Sequence, residues 1–154
     1  MKRTIGYDQF LQFENVISRY YVTNAEETGK CFEDALQTVL DAGYSLSDNF
    51  FYSTNSDIRD EDELLIQVFL PVNEQNKNNL PEEYRFQSYF QVNNMLATRV
   101  KGDSSKAFAE ALEYLLVYIV DAKANVASPI FYRPQVVNDH VYTDLMIGVR
   151  TESN

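Results

Sequence analysis

Residues 24–54 read NAEETGKCFEDALQTVLDAGYSLSDNFFYST, and residues 104–134 read SSKAFAEALEYLLVYIVDAKANVASPIFYRP. The two stretches align without a gap at a spacing of 80 positions, with Leu36 on Leu116 and the run FFY on IFY. Self-similarity at one spacing indicates that a structural unit occurs twice. The chain is therefore predicted to hold two copies of one supersecondary unit, with any ligand site expected between them.

A second correspondence extends the repeat at a spacing of 77, between Leu64–Val72 (LLIQVFLPV) and Val141–Val149 (VYTDLMIGV). Both segments are rich in aliphatic residues and have the length of strands. The predicted fold class is α+β: a duplicated β-α-β-β unit whose antiparallel sheet has two helices on one face and a cleft on the other. We expect a single domain over residues 1–154, with repeat 1 at about 1–72, a linker at 73–83 and repeat 2 at about 84–150.

Each repeat has its own predicted elements, delimited by turn residues and helical spacing. The first has a strand at Phe13–Thr23, a helix capped by Asn24 and closed by Gly43, a strand at Asn49–Thr54 and a polar loop before Leu64. In the second, the predicted segments are strands at Tyr84–Val92 and Ala97–Lys101, a helix capped by Asp103 or Ser104, and a closing hairpin of Pro129–Val136 and Val141–Val149 turning at Asn138-Asp139.

Composition excludes several classes of function. A net charge of -10 leaves no basic footprint for nucleic acid and disfavours an anionic membrane surface. One His and one Cys cannot supply a His/Cys zinc site, so we expect no metal and no cofactor. The acidic run Asp60–Glu63 is interpreted as a solvated loop rather than a calcium site. The absence of a signal-like segment and the single Cys31 predict a cytoplasmic protein.

The closing strands supply the candidate site residues, because side chains alternate between the two faces of a strand. The aliphatic positions of each strand are expected to lie under the helices. The opposite face then carries Gln67 and Asp144 at repeat-equivalent positions, among apolar and aromatic side chains typical of a small-ligand pocket. The candidate ligand-binding residues are Leu65, Gln67, Phe69, Arg99, Tyr142, Asp144 and Met146, and no catalytic residue is assigned.

Asp144 has two interpretations. A carboxylate in an apolar strand has to be solvated, paired or kept for function, since burying it alone is costly. In the first, it lies at a solvated face of the sheet or pairs with Arg19 or Arg99, which stand 80 positions apart in the repeat. In the second, it faces a ligand.

Two segments resemble the GyrI-like small-molecule-binding superfamily, which includes multidrug-responsive effector domains and SOUL-type haem-binding relatives. Thr98–Gly102 is similar to that family's R-x-K-G strand end, and Thr143–Val149 is similar to its closing T-E-I-x-I-P-V strand. Gln67–Val72 keeps the Pro-Val ending, whereas the second copy has Gly148 in place of the proline. The resemblance covers nearly the whole chain and implies a stand-alone bacterial module.

The resemblance also implies a function. The closing-strand glutamate of that family anchors cationic lipophilic ligands in an aromatic cleft, and that role carries over to Asp144, which is one methylene shorter. We therefore predict a module that binds a small lipophilic or cationic molecule. Two alternatives stay open: a protein-interaction or inhibitor module with a filled cleft, and a hydrolase that uses Asp144 with Tyr142 or Tyr132. An enzyme is the less favoured class.

Overall fold

The computed structural model describes residues 4–55, 63–102 and 104–151. These residues form two helices and six strands, in the order β-α-β-β followed by β-α-β-β. The elements are β1 (Gly6–Thr23), α1 (Thr28–Asp41), β2 (Phe51–Thr54), β3 (Leu64–Pro71), β4 (Arg85–Lys101), α2 (Ser105–Asp121), β5 (Ala124–Val137) and β6 (His140–Thr151).

The chain divides into two compact units. The N-terminal unit comprises Gln12–Gln91, and the C-terminal unit comprises the residues up to Leu11 together with those from Val92 onward. The long strands β1 and β4 each contribute to both units. The predicted mixture of helices and antiparallel strands is confirmed, whereas the duplication itself and the cleft opposite the helices stay predictions.

In the N-terminal unit, β3 is the central strand, with β1 on one side and β2 on the other, both antiparallel. The aliphatic positions of β3 pack with Ala35 and Val39 of α1 in one buried cluster, which includes Ile66, Val68 and Leu70. Alternation along β3 therefore has the predicted sense: its aliphatic set lies under the helix.

In the C-terminal unit, β6 is the central strand, between β4 and β5, again antiparallel. Leu145 and Ile147 are almost fully buried, and Leu145 lies opposite Tyr132, whose ring packs 5.5 Å from Phe108 of α2. The aliphatic set of β6 thus lies on the α2 side, although Val141 at the strand's start is half exposed.

Both helices end in the same way, with a left-handed residue two positions after the last helical residue. Gly43 follows the last turn of α1 with φ 92°, and Lys123 follows α2 with φ 58°. The backbone N–H of each donates to a carbonyl of the last turn, Leu40 or Val120. Glycine takes this conformation without steric cost, whereas lysine does not.

Several predicted boundaries were wrong. Tyr84–Val92 and Ala97–Lys101 are parts of one strand, β4. Helix α1 begins at Thr28, and Asn24 instead holds the preceding turn by accepting from the backbone N–H groups of Glu26 and Glu27 at 3.0 Å. At α2, Ser104 is the N-cap, with its hydroxyl 3.4 Å from the N–H of Ala107. Most of the acidic run Asp60–Glu63 lies outside the described residues.

Candidate functional site

Asp144 stands at the middle of β6 between two arginines. Pairing places Arg99 of β4 directly opposite it on one side and Arg133 of β5 on the other. Directly opposite residues in an antiparallel pair project from the same face, so the three side chains form one row across the sheet. This row lies on the face away from α2, as the alternation of β6 predicted.

The carboxylate of Asp144 is held by Arg99 and Gln135. The Arg99 Nε and Nη2 atoms donate to Oδ1 and Oδ2 at 2.8 and 3.2 Å, and Gln135 Nε2 donates to Oδ2 at 2.6 Å. The side chain of Asp144 is 16% exposed and that of Arg99 is 49% exposed. Hydrogen bonding to Asp144 and its negative charge raise the pKa of Arg99 above its ordinary value. Of the two predicted pairing partners, Arg99 is the one that binds Asp144.

Tyr142 completes a cation-binding environment around the guanidinium of Arg99. The Arg99 Cζ atom lies 5.5 Å from the centre of the Tyr142 ring, within the range of cation–π attraction. One positive group therefore contacts a carboxylate and an aromatic ring together. Met146, two residues beyond Asp144 on the same face, is 4% exposed and lies in register with Phe131 and Ala97.

The other three predicted site residues belong to the N-terminal unit. Phe69 is 3% exposed and stacks on Phe51, with ring centres 4.8 Å apart and planes 7° from parallel. Gln67 donates to the hydroxyl of Ser18 at 3.3 Å, and Leu65 is half-buried opposite Val22. Phe69 is therefore a core residue of its unit, and a ligand role for these three residues stays a prediction.

The proposed equivalence of Arg19 and Arg99 was wrong. If Gln67 and Asp144 correspond, their partners on the neighbouring strands should correspond too, and these are Tyr20 and Arg99. Arg19 lies one residue before Tyr20 on β1, and a shift of one residue moves a side chain to the other face of the sheet.

Arg19 instead belongs to a cluster on the α1 side of the N-terminal unit. Its guanidinium lies 4.4 Å from the Tyr21 ring centre and 3.8 Å from the Asp34 carboxylate of α1. Tyr21 donates to Asp34 at 2.8 Å and contacts the hydroxyl of Tyr84 at 3.4 Å. Burial and these hydrogen bonds raise the pKa of Tyr21. The cluster ties α1 to β1 and does not form part of the Asp144 row.

Sequence reasoning missed Gln135 and Arg133, although the signal was present. The two-residue turn at Asn138-Asp139 has φ 51° and 65°, which is typical of a tight hairpin. Counting back from that turn places Arg133 opposite Asp144 and Gln135 opposite Tyr142. The register of the hairpin is therefore enough to place both residues beside Asp144 and Tyr142.

Sequence reasoning also missed a half-open groove of about 420 Å³ in the C-terminal unit. The groove lies at the end of α2, and its volume is within the range of small-molecule sites. We call it the α2-end groove. Its lining residues are Tyr7, Asp8, Asn94, Leu96, Tyr118, Ala122, Ala124, Val149 and Arg150.

The outer faces of the two helices differ. On α2, Tyr114, Val117 and Val120 are 41, 53 and 73% exposed. The positions 80 residues earlier on α1 are Asp34, Gln37 and Leu40, of which two are polar. Neither helix of the described chain has the length and apolar character needed to cross a bilayer.

Comparison with solved structures finds the same fold. The crystal structure of the EcmrR C-terminal domain matches with a TM-score of 0.76 and 14% identity, covering 99% of this chain and 100% of that one. A cryo-EM structure of an EcmrR–DNA complex matches with a TM-score of 0.80 and 15% identity over 97% of this chain, which spans 58% of that chain. The structure of SAV2435 bound to tetraphenylphosphonium matches with a TM-score of 0.51 and 10% identity, covering 97% and 94%.

These likenesses define the class of the protein as an α+β domain of GyrI-like fold, in agreement with the sequence resemblance. The chain belongs to the family described as "Domain of unknown function (DUF5085)", whose profile matches residues 12–151. No curated protein matches it.

Proposed function

We propose that this protein is a small-molecule-binding module that accepts a lipophilic cation at Asp144. The observation that carries the proposal is the position of the Arg99 guanidinium, which lies against both the Asp144 carboxylate and the Tyr142 ring. Those two contacts are the ones that an organic cation uses when a protein binds it. Arg99 therefore occupies the place that we assign to the ligand.

The exposure of the two partners favours exchange of Arg99 for a ligand. Asp144 is mostly buried, so an opposite charge beside it is stabilised more strongly than it would be in water. Arg99 is half exposed and has a long side chain, so its guanidinium can return to solvent at little cost. A cation that also buries apolar surface gains free energy that Arg99 does not.

The fold likeness supports the choice of ligand class. SAV2435, which shares the fold at 10% identity, is bound to tetraphenylphosphonium, a cation enclosed by four phenyl groups. Tetraphenylphosphonium is therefore the probe for this chain. Tyr142 and Met146 are the neighbours of Asp144 on β6 that we assign to its apolar contacts.

The test is a calorimetric titration of tetraphenylphosphonium into wild type, Asp144→Asn and Arg99→Gln, with Glu113→Gln as the control. Glu113 is an exposed residue of α2, so this control changes the net charge by the same amount as Asp144→Asn. Asp144→Asn loses one charge-assisted contact, which contributes about 1.5–3 kcal/mol. Its affinity for tetraphenylphosphonium should therefore be roughly tenfold or more below that of wild type. Arg99→Gln removes the competing cation and should tighten binding.

Two results would contradict the proposal: no heat of binding with wild type, or equal affinity of wild type and Asp144→Asn. Equal weakening by Asp144→Asn and Glu113→Gln would show only attraction to a negatively charged protein. Folding of each variant is checked by circular dichroism before titration.

A protein-interaction module is the second candidate, favoured by the exposed apolar residues on the outer face of α2. Large exposed apolar patches commonly mark protein interfaces. This surface is separate from the Asp144 row, which lies on the face of the sheet away from α2. A chain that fails to bind tetraphenylphosphonium would make this candidate the stronger one.

A further inference from the structure

We propose that the α2-end groove is a second ligand site, specific for a small zwitterion that carries an ammonium group, a carboxylate and an apolar or aromatic body. The groove lies within the C-terminal unit and includes Arg150, six residues along β6 from Asp144. At about 3.3 Å per residue, the two positions are roughly 20 Å apart. The site is therefore distinct from the one in the proposed function.

Charges of both signs line the groove. Asp8 and Arg150, two exposed residues of opposite charge, are both in its lining. Neither forms an ion pair with another side chain in the parts of the chain that the structure describes. The two residues therefore do not pair with each other, although both line the same cavity. A ligand with one positive and one negative group bridges such a gap and satisfies both charges.

The geometry of each charged group suits one end of a zwitterion. A guanidinium presents parallel N–H donors that match the two oxygens of a carboxylate. A carboxylate accepts hydrogen bonds from an ammonium group. Asn94, also in the lining, supplies an amide that can donate to one end or accept from the other.

The body of the ligand would meet an aromatic wall. The rings of Tyr7 and Tyr118 pack edge to face with centres 5.8 Å apart, and both line the groove. A hydrogen bond with Tyr7 raises the pKa of Tyr118, which keeps its phenol neutral. Tyr7 is 55% exposed, so a ligand ring packed against it removes apolar surface from water.

Two of the polar lining residues have an unusual backbone conformation. Asp8 and Asn94 have φ 53° and 54°, left-handed values that interrupt the regular alternation of β1 and β4. Such interruptions redirect side chains, and they occur often beside binding sites. Asp and Asn tolerate this conformation better than other residues with a side chain.

The test uses three probes that share a phenylethyl body and differ in the charged groups on it: L-phenylalanine, phenethylamine, which lacks the carboxylate, and 3-phenylpropionate, which lacks the ammonium group. Each is titrated into the full chain, with binding followed by amide chemical shifts in NMR spectra. L-phenylalanine should shift the amides of groove residues and bind at least about tenfold more tightly than either analogue, since each lost charge-assisted contact weakens binding by that order.

Three variants complete the test. Asp8→Asn and Arg150→Gln should each weaken L-phenylalanine binding by roughly tenfold, whereas Glu113→Gln on the outer face of α2 should leave it unchanged. Equal binding of the three probes, no binding of any, or wild-type affinity in both groove variants would overturn the proposal. Amide spectra of the variants without ligand show whether each one is folded.

Discussion

The central strands of the two units place different chemistry at corresponding positions. In the N-terminal unit, Gln67 stands between Tyr20 and Ser53, a row without charge. In the C-terminal unit, Asp144 stands between Arg99 and Arg133, a row of three charges. Both strands are central and antiparallel to their neighbours. The strand plan therefore does not determine the charge of this row; the residues at its three positions do.

The next row along each sheet also differs in chemistry between the two units. Phe69 lies opposite Phe51 and Ser18, whereas Met146 lies opposite Phe131 and Ala97. Phe51 also packs against the rings of Phe13 and Phe90 at 5.2 and 5.5 Å, so this face of the N-terminal unit is a stacked aromatic core. The C-terminal unit has a flexible thioether at the corresponding position, beside its charged row.

Truncation of Phe51 and Phe131, which stand 80 positions apart, gives the largest expected change in the free energy of unfolding. Phe51→Ala and Phe131→Ala each empty a buried position and should lower the free energy of unfolding by about 3–5 kcal/mol. The milder change to leucine compares the units. Phe51→Leu should cost more than Phe131→Leu, because the residue opposite Phe51 is a stacked ring, Phe69, whereas the residue opposite Phe131 is Met146, which can adjust around a leucine. Urea denaturation measures both, and equal costs for the two leucine variants would contradict the comparison.

Substitutions after the two helix ends give an intermediate change in the free energy of unfolding. Lys123→Gly should raise the free energy of unfolding by about 1 kcal/mol, because it relieves a left-handed residue with a side chain. Gly43→Ala should lower it by a similar amount; the added methyl would also meet Lys77 Nζ at 3.0 Å, which donates to the Gly43 carbonyl. Thermal melts detect both changes. A lower stability of Lys123→Gly would contradict this prediction. It would show that the lysine side chain stabilises the fold by more than its left-handed backbone conformation destabilises it.

A substitution in the loop that contains Glu74 gives the smallest expected change in the free energy of unfolding, and this change depends on pH. The Glu74 carboxylate accepts from the backbone N–H and the hydroxyl of Ser45 at 2.8 and 2.7 Å, which lowers the pKa of Glu74. A lowered pKa in the folded state stabilises the protein above the unfolded pKa of about 4.3, and this contribution is lost as the pH falls.

Glu74→Gln should therefore be slightly less stable than wild type at pH 7, and the difference should shrink as the pH falls below about 4. Chemical denaturation across that range measures it. A difference that is constant with pH would assign the effect to packing rather than to the charge.

Much of this architecture could be predicted from local patterns. Alternation along β3 identified the aliphatic side that faces α1, and the same pattern placed Asp144 on the opposite side of β6. The repeat spacing did not predict the register between strands. It matches Arg99 with Arg19, whereas the strand pairing matches Arg99 with Tyr20. Sequence spacing constrains neighbours along the chain, whereas strand register depends on bulges and turns.

The α2-end groove could not be predicted from any segment of the chain. Asp8 and Arg150 lie near opposite ends of the sequence, and Asn94 lies between them. None of the three belongs to a recognisable motif, and their association depends on strand pairing and on the end of α2. Isolated polar residues in strands have no signature until the tertiary structure brings them together.

The contact between Arg99 and Tyr142 also has a spectroscopic consequence. The chain has 11 tyrosines and no tryptophan, so its near-ultraviolet signal combines many similar chromophores. Tyr142→Trp would place a single indole beneath the Arg99 guanidinium, and an indole is the ring that attracts a cation most strongly. Excited at the long-wavelength edge of its absorption, where tyrosine absorbs little, the indole would report on this one position, and its occupancy could be followed in real time.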